Sequence, residues 1–438
     1  MLISLSAIQR KKKILNKPSP LLNPFELVLI LWVLLFSVSF SLIVIRIFYF
    51  PTSTTLLEVW SFRLDDRPWT PVGTSPESIF RGHYFGDFQL GIIYSSLSDP
   101  YIANELLPYG YPPVMHRVLN LLSQFPIKLS FIIYLIVTIG LTIRTMWILL
   151  GDLPNKLKLP IGIFGITTSL PLIMALDRGN FVVISICCGL IGYIGLLDNS
   201  KKNSIFSLIL LSIAIDIKAY IAIFCIFLFL SKRKRQAIQV VLTTMLTNLV
   251  FSFFYESSPM QIIYIYIKGL LFYGANDDPL FPMNGNALVA SVARGLNYWL
   301  GMDWQAIILQ LGPYANVFGY IWLLLSAVIY SRAEISRELR VVVMLSCIQF
   351  FPPVSMFYTN VWSLLGVCLI ISKMYRERQK DFREFYLELF VGMILIVSIL
   401  PLYFGWHLSF SGLAWIIVFA FLLFKSGRSK LLGTKLSS

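Results

Sequence analysis

Charge is the scarcest commodity in this sequence. Lys, Arg, Asp and Glu make up 13% of the 438 residues, about half the roughly 25% usual in a soluble globular domain. The shortfall excludes an ordinary soluble fold. Cysteine is also sparse, and Cys187, Cys188, Cys225, Cys347 and Cys368 all fall inside apolar stretches, so no disulfide framework is expected. Adjacent Cys187 and Cys188 would point in different directions on a helix, which argues against a metal pair. There are only three His residues, no internal repeat and no low-complexity segment. What is abundant is apolar: 57% of the chain. Runs of about 18 residues or more recur, each long enough to cross a ~30 Å hydrocarbon layer. The first, Phe25 to Tyr49, follows a basic stretch at Arg10 to Lys13. It is too long for a secretory h-region and has no small-residue cleavage site, so it reads as a retained signal anchor.

The formal net charge of +14 would suggest nucleic acid in a soluble protein. Here the basic residues sit in short loops between apolar runs, as the positive-inside rule produces, so no nucleic-acid partner is expected. Seven clusters (Arg10–Lys17, Lys156 with Lys158, Lys201 with Lys202, Lys232–Arg235, Arg332–Arg340, Lys373–Arg383 and Lys425–Lys435) hold 25 of the 36 Lys and Arg residues. If all are cytoplasmic, an even number of crossings separates each consecutive pair. Spans are then expected at Phe25–Tyr49 and about Phe125–Leu150, joined by a long outer loop at about 50–124. Leu159–Leu176 and Phe181–Leu197 follow, hinged at Asp177-Arg178-Gly179-Asn180. Between Lys202 and Lys232 lie two apolar halves broken at Asp216-Ile217-Lys218, too short for two full crossings. Gln236–Phe254 and Gln305–Tyr330 flank a second outer loop at about 255–304. Val341–Phe351 and Val361–Ser372 form a short pair broken at Pro352-Pro353, and Glu384–Phe404 and Leu408–Phe424 complete the set.

The expected fold class is therefore all-α: a polytopic transmembrane protein of about 12 helical elements, some in short or re-entrant hairpins. Three parts are expected: a basic cytoplasmic N-terminus at 1–24, a transmembrane module at 25–372, and a C-terminal hairpin with a basic tail at 373–438. Both termini would be cytoplasmic, in a multi-pass plasma-membrane protein surrounded by lipid.

In this layout His83, His116 and His407 all lie on the outer side, as do the two hinges. Ionisable groups at membrane depth are costly and mark sites or pathways, so their gathering on one face suggests an outward-facing polar cavity. The first outer loop reads RGHYFGDFQLGIIYSSLSDPYIANELLPYGYPPVMHR from Arg81 to Arg117. Asp87 opens an amphipathic stretch that places Leu90, Ile93 and Tyr94 on one face, suited to a helix in the membrane interface. His83 and Asp87 are four apart and would share a helix face. Asp87 is either a general base or a capping, solvated acid. Two ligands are too few for metal, and Gly82 and Gly86 weaken the helix. Tyr109, Tyr111 and Pro112-Pro113 either anchor the loop at the interface or wall a lipid or sugar site. Arg178 either neutralises Asp177 or meets an anionic headgroup with its fork, and Asn180 can cap the next helix. Lys218 pairs with Asp216 or binds phosphate at the cavity floor. Arg294 is a snorkelling residue or a further cation of the site.

These residues resemble the polyprenyl-phosphate-dependent glycosyltransferases of the GT-C superfamily, in particular family 87. Phe85-Gly86-Asp87 is similar to the acidic element of the first outer loop. Asp99-Pro100-Tyr101 and Tyr109-Gly110-Tyr111-Pro112-Pro113 look like the D-P-Y and F-x-Y-P-P elements. Asp177-Arg178-Gly179-Asn180 looks like the hinge, and Ile217-Lys218-Ala219-Tyr220 like the I-K-x-Y/P element. Asn284 to Arg294 resembles the second-loop element, with Ala287 where Ser is common, and Tyr358 to Trp362 falls near a late element but lacks its His. The resemblance covers about Phe25 to Ile370. It implies sugar transfer, most narrowly of mannose, from a polyprenyl-phosphate carrier to a hydroxyl of a glycolipid or glycan at the extracytoplasmic face. Asp87 would be the base and Lys218, Arg178 and Arg294 the phosphate-binding cations. Asn180, His83 and His116 would hold sugar or phosphate, and Tyr109 and Tyr111 would shape the wall. The scheme requires no metal or other cofactor, the lipid-linked sugar being a substrate. A transporter or lipid flippase would also use buried Arg, Lys and Asp, although transporters usually show repeat symmetry. An assembly subunit without activity would tolerate charge changes at the hinges.

Overall fold

The computed structural model describes residues 24–49, 86–95, 97, 111–198, 204–274, 289, 292–293, 296, 303–332, 335–352, 357–377, 386–400 and 414–422. Among these residues the regular structure is helical throughout, in agreement with the all-α expectation.

Helix α1 (Pro24–Tyr49) is the first apolar run. Helix α2 (Gly86–Ser95) carries Asp87 in its first turn, and α3 (Pro113–Ser123) starts on the Pro112-Pro113 pair, whose fixed φ suits a helix N-terminus. Helix α4 (Ile127–Leu149) is long and apolar. Its Thr138, Thr142 and Thr145 hydroxyls donate to carbonyls one turn back at 2.7–2.8 Å. They are thereby satisfied inside their own helix, which an apolar environment demands.

The expected span Leu159–Leu176 is in fact two helices, α5 (Asn155–Thr168) and α6 (Leu170–Arg178), bent by 67°. The cause is local. Pro171 has no N–H to continue the ladder, Ser169 turns extended (φ −82°, ψ 97°), and its Oγ accepts from Leu172 N to start the new helix. Helix α6 ends at Gly179 in the left-handed region (φ 66°), with Asn180 N donating to Ala175 O at 2.9 Å, a glycine-dependent C-cap.

Helix α7 (Val182–Leu197) packs closely on α8 (Ser204–Ile217). A Cβ at Gly192 would lie 2.7 Å from Ser207 O and Leu211 N, so a bare backbone is what lets the two helices approach. After α8 the chain breaks at Lys218 (φ −142°, ψ 105°), as expected. It resumes in a 3-10 turn (Ala219–Ala222) and α9 (Ile223–Leu230). Helices α10 (Lys234–Ser252), α11 (Pro259–Gly274), α12 (Trp304–Leu311), α13 (Ala315–Arg332) and α14 (Arg337–Phe350) follow. The second outer loop thus begins with a helix. A short 3-10 turn (Phe357–Asn360) leads into α15 (Val361–Arg376), and α16 (Tyr386–Ile399) comes next.

Helix α15 is the centre of the core, buried from Val361 to Met374 and flanked by α1, α4, α14 and α16. At its end Lys373 and Glu388 form a buried ion pair. Arg376 bridges Asp152 at 2.9 Å and Glu338 at 2.8 Å.

Two described helical stretches, Ile127–Leu149 and Gly312–Ser331, are long and apolar enough to cross a membrane. The bent α5–α6 pair is a third if it counts as one span. Several others are apolar but shorter, such as Val182–Leu197 and Ser204–Ile217. Large apolar side chains including Ile136, Ile205, Leu242 and Phe253 stand exposed. Exposed apolar surface of this extent marks a lipid or partner contact, and with the apolar helices it points to a membrane protein.

Candidate active site

The site grows from the aromatic residue beside Asp87. Phe88 is fully buried, its ring 5.5 Å from those of Phe131 and Tyr134 and 6.1 Å from that of Phe181. A Cβ at position 179 would come within 2.4 Å of Phe88 Cβ, so α2 presses directly on the α6–α7 turn. The buried face of α2 carries Phe88, Gln89 and Ile92, while Ile93 is exposed. The buried face packs on α3 and the aromatic nest.

With Phe88 anchored, Asp87 faces the hinge. Arg178 donates from Nε to Oδ2 at 3.1 Å and from Nη2 to Oδ1 at 2.9 Å. Asn180 donates from Nδ2 to Oδ2 at 2.6 Å. The same Asn180 accepts from Val182 N through Oδ1 at 2.9 Å, capping α7. The capping and site readings of Asn180 therefore both hold. Its backbone carbonyl accepts from the Tyr134 hydroxyl at 2.9 Å. Arg178 thus reaches Asp87 across 91 positions of sequence.

Lys218, at the break after α8, points its Nζ at the Tyr111 ring, 4.8 Å from the centroid. It lies within electrostatic reach of both Asp87 and Arg178. Tyr111 packs edge-on against Phe181 at 6.3 Å. Asp216 does not join them. It is buried on α8 and accepts from Asn248 Nδ2 at 2.6 Å and Thr247 Oγ1 at 3.2 Å, both on α10. The expected gathering of the whole Asp216–Lys218 hinge in one pocket is therefore corrected: the break turns the two side chains to different neighbours. His116 is buried and bonded through Nδ1 to the Tyr255 hydroxyl at 2.6 Å, which places it behind the Tyr111 wall, where Tyr111 packs near Tyr255. His83, Tyr109, Arg294 and His407 lie outside the described residues.

Burial acts to raise the pKa of the Asp87 carboxyl. The Arg178 charge and hydrogen bonds, the Asn180 amide and the Lys218 charge outweigh it and hold the group below its ordinary value of 3.8. The carboxylate is thus ionised at neutral pH. Among the described residues three donors fill about three of its four lone-pair positions, two on Oδ2 and one on Oδ1. Oδ1 retains the capacity to accept one more hydrogen bond. Asp87 and Arg178 are 17% and 28% exposed, enough for contact with a ligand.

Sequence reasoning found the charged members but missed Phe88, Phe181 and Tyr134, which position them. The only signal was a cluster of aromatic residues next to the acid and the hinge.

In this apolar helical protein one accessible carboxylate, two cations and an amide gather beside aromatic rings. Residues 109–311 match the model of glycosyltransferase family 87, the family the sequence motifs resemble, and the match indicates a glycosyltransferase. The curated proteins and the solved structures give no match to the chain. Arg178, Asn180, Lys218 and Tyr111 fall inside the matched segment. Asp87 lies before it and joins the site through the fold.

Proposed function

We propose that the protein transfers a sugar, with mannose the first candidate, from a polyprenyl-phosphate carrier to an acceptor hydroxyl at the extracytoplasmic face of a membrane. The observation that carries this reading is the contact of Asp87 with Arg178 and Asn180, with Lys218 at hand. The acceptor O–H donates to Asp87 Oδ1. As the acceptor oxygen bonds the anomeric carbon, its proton passes to Asp87. The carbon–oxygen bond to phosphate breaks on the opposite side, and polyprenyl phosphate leaves with the electron pair, inverting the centre. Fixed cations facing the departing phosphate lower this barrier, since they stabilise charge that builds up in the transition state. Arg178 and Lys218 take this role. Asn180 orients Asp87 and the donor sugar, and Tyr111 forms a flat wall for sugar or prenyl chain, with the glycolipid or glycan acceptor entering beside it.

The test is transfer from radiolabelled polyprenyl-phosphate sugars to extracted membrane acceptors. Asp87→Asn is expected to lose about 10²–10⁴-fold in rate, the usual worth of a positioned general base. Undiminished transfer by that variant would remove Asp87 from the mechanism.

A further inference from the structure

We infer that Arg178 is shared in turn between Asp87 and the phosphate of the donor, so that binding of the donor releases the base. The inference rests on the glycosyl-transfer reading and adds to it a coupling between the two halves of the reaction.

The Arg178 fork donates to both oxygens of Asp87. A carboxylate so held is a weak base, because every donor that stabilises its charge lowers its affinity for a proton. A phosphate binding between Arg178 and Lys218 competes for that fork, since a guanidinium matches phosphate as well as carboxylate. Lys218, its Nζ over Tyr111, acts on the carboxylate through its charge. Asn180 remains on Oδ2 and keeps the carboxylate aimed. As Arg178 swings toward phosphate, Asp87 loses its strongest partner and gains basicity. The effect grows as the glycosidic bond breaks and negative charge collects on the phosphate. Proton removal from the acceptor is thereby tied to departure of the leaving group. With no donor present, the base stays clamped.

Competition for one guanidinium has a thermodynamic signature, because coupling between two ligands of one group is reciprocal. Removing the charge of Asp87 must strengthen phosphate binding. The probe is methyl farnesyl phosphate, a diester that keeps a single charge across the pH range and carries no sugar. It is titrated into detergent-solubilised full-length protein. Asp87→Asn is expected to bind it about tenfold more tightly than wild type, the scale of one charge-assisted hydrogen bond, and Arg178→Gln more weakly than wild type. Should Asp87→Asn fold poorly, the wild type is titrated from about pH 7 to about pH 5, where protonation of the carboxylate in the complex should tighten the diester. Unchanged or weaker binding by Asp87→Asn, with Arg178→Gln weakened, overturns the sharing while leaving Arg178 as a phosphate ligand. Equal binding by both variants and wild type overturns it by removing Arg178 from the phosphate site. In either case the transfer assay with Asp87→Asn still decides the glycosyl-transfer reading by itself.

Discussion

At the scale of single residues, the carboxylate of Asp87 sets the pH behaviour. Its folded value is depressed, so its charge and the ion pair it makes are present above the ordinary carboxylate range and are lost as pH falls through the depressed value. For the free enzyme, kcat/KM for the donor should therefore show no acid limb from this group at or above about pH 3.8, where an unperturbed carboxyl would titrate. In Arg178→Gln, desolvation is no longer opposed by the guanidinium, and the limb should move up into the accessible range. A pH–rate profile of the two proteins checks the shift, and a limb that stays put would show that Arg178 does not govern the carboxyl. Reading the residues in order could nominate Asp87, Arg178, Asn180 and Lys218, because charged side chains in apolar surroundings demand a reason. It could not pair them. Arg178 has Asp177 beside it in sequence yet bonds Asp87, which the packing of Phe88 against the turn brings to it.

At the scale of elements, the turn between α6 and α7 carries both hands that hold Asp87, one on either side of Gly179. A side chain at that position meets two costs: about 1–2 kcal/mol for a left-handed residue with a Cβ, and about 1–3 kcal/mol for overpacking against Phe88 Cβ at 2.4 Å. Gly179→Ala should lower the thermal midpoint and depress transfer together, while Gly140→Ala, where nothing lies within 4 Å of the added methyl, should do neither. Differential scanning fluorimetry with the transfer assay separates the two variants. Breaks signalled by glycine, by paired prolines or by a lone charge in an apolar run were legible in the sequence. The 67° bend at Ser169 was not, because hydroxyl residues such as Thr167, Thr168 and Ser169 also sit inside apolar helices by bonding back to carbonyls, and one Pro171 is compatible with either a kink or a new helix. A ten-residue helix with apolar residues around most of its circumference leaves several faces available, and only the partner decides.

For the whole molecule, the order of helices followed from runs and basic clusters, whereas their lengths did not. Helices that pack inside protein need not match a bilayer, so hydropathy alone sets no lower bound on them. Helix α16 is fastened to the central α15 by the Lys373–Glu388 pair. Lys373→Met leaves a buried carboxylate uncompensated and should cost about 3–5 kcal/mol, while the double variant Lys373→Met with Glu388→Leu should recover most of it. Chemical denaturation in mild detergent reads the difference, and full additivity of the two single changes would show that the pair is not coupled. The hold on Asp87 has a consequence of another kind. That carboxylate is a fastener as well as the proposed base, since it ties α2 to the rest of the bundle. On the proposed mechanism the Arg178 tie opens when the donor phosphate draws the guanidinium away, and it closes again when that phosphate leaves. Helix α2 would therefore breathe once per catalytic cycle, giving the spent acceptor a moment to leave that needs no separate gate.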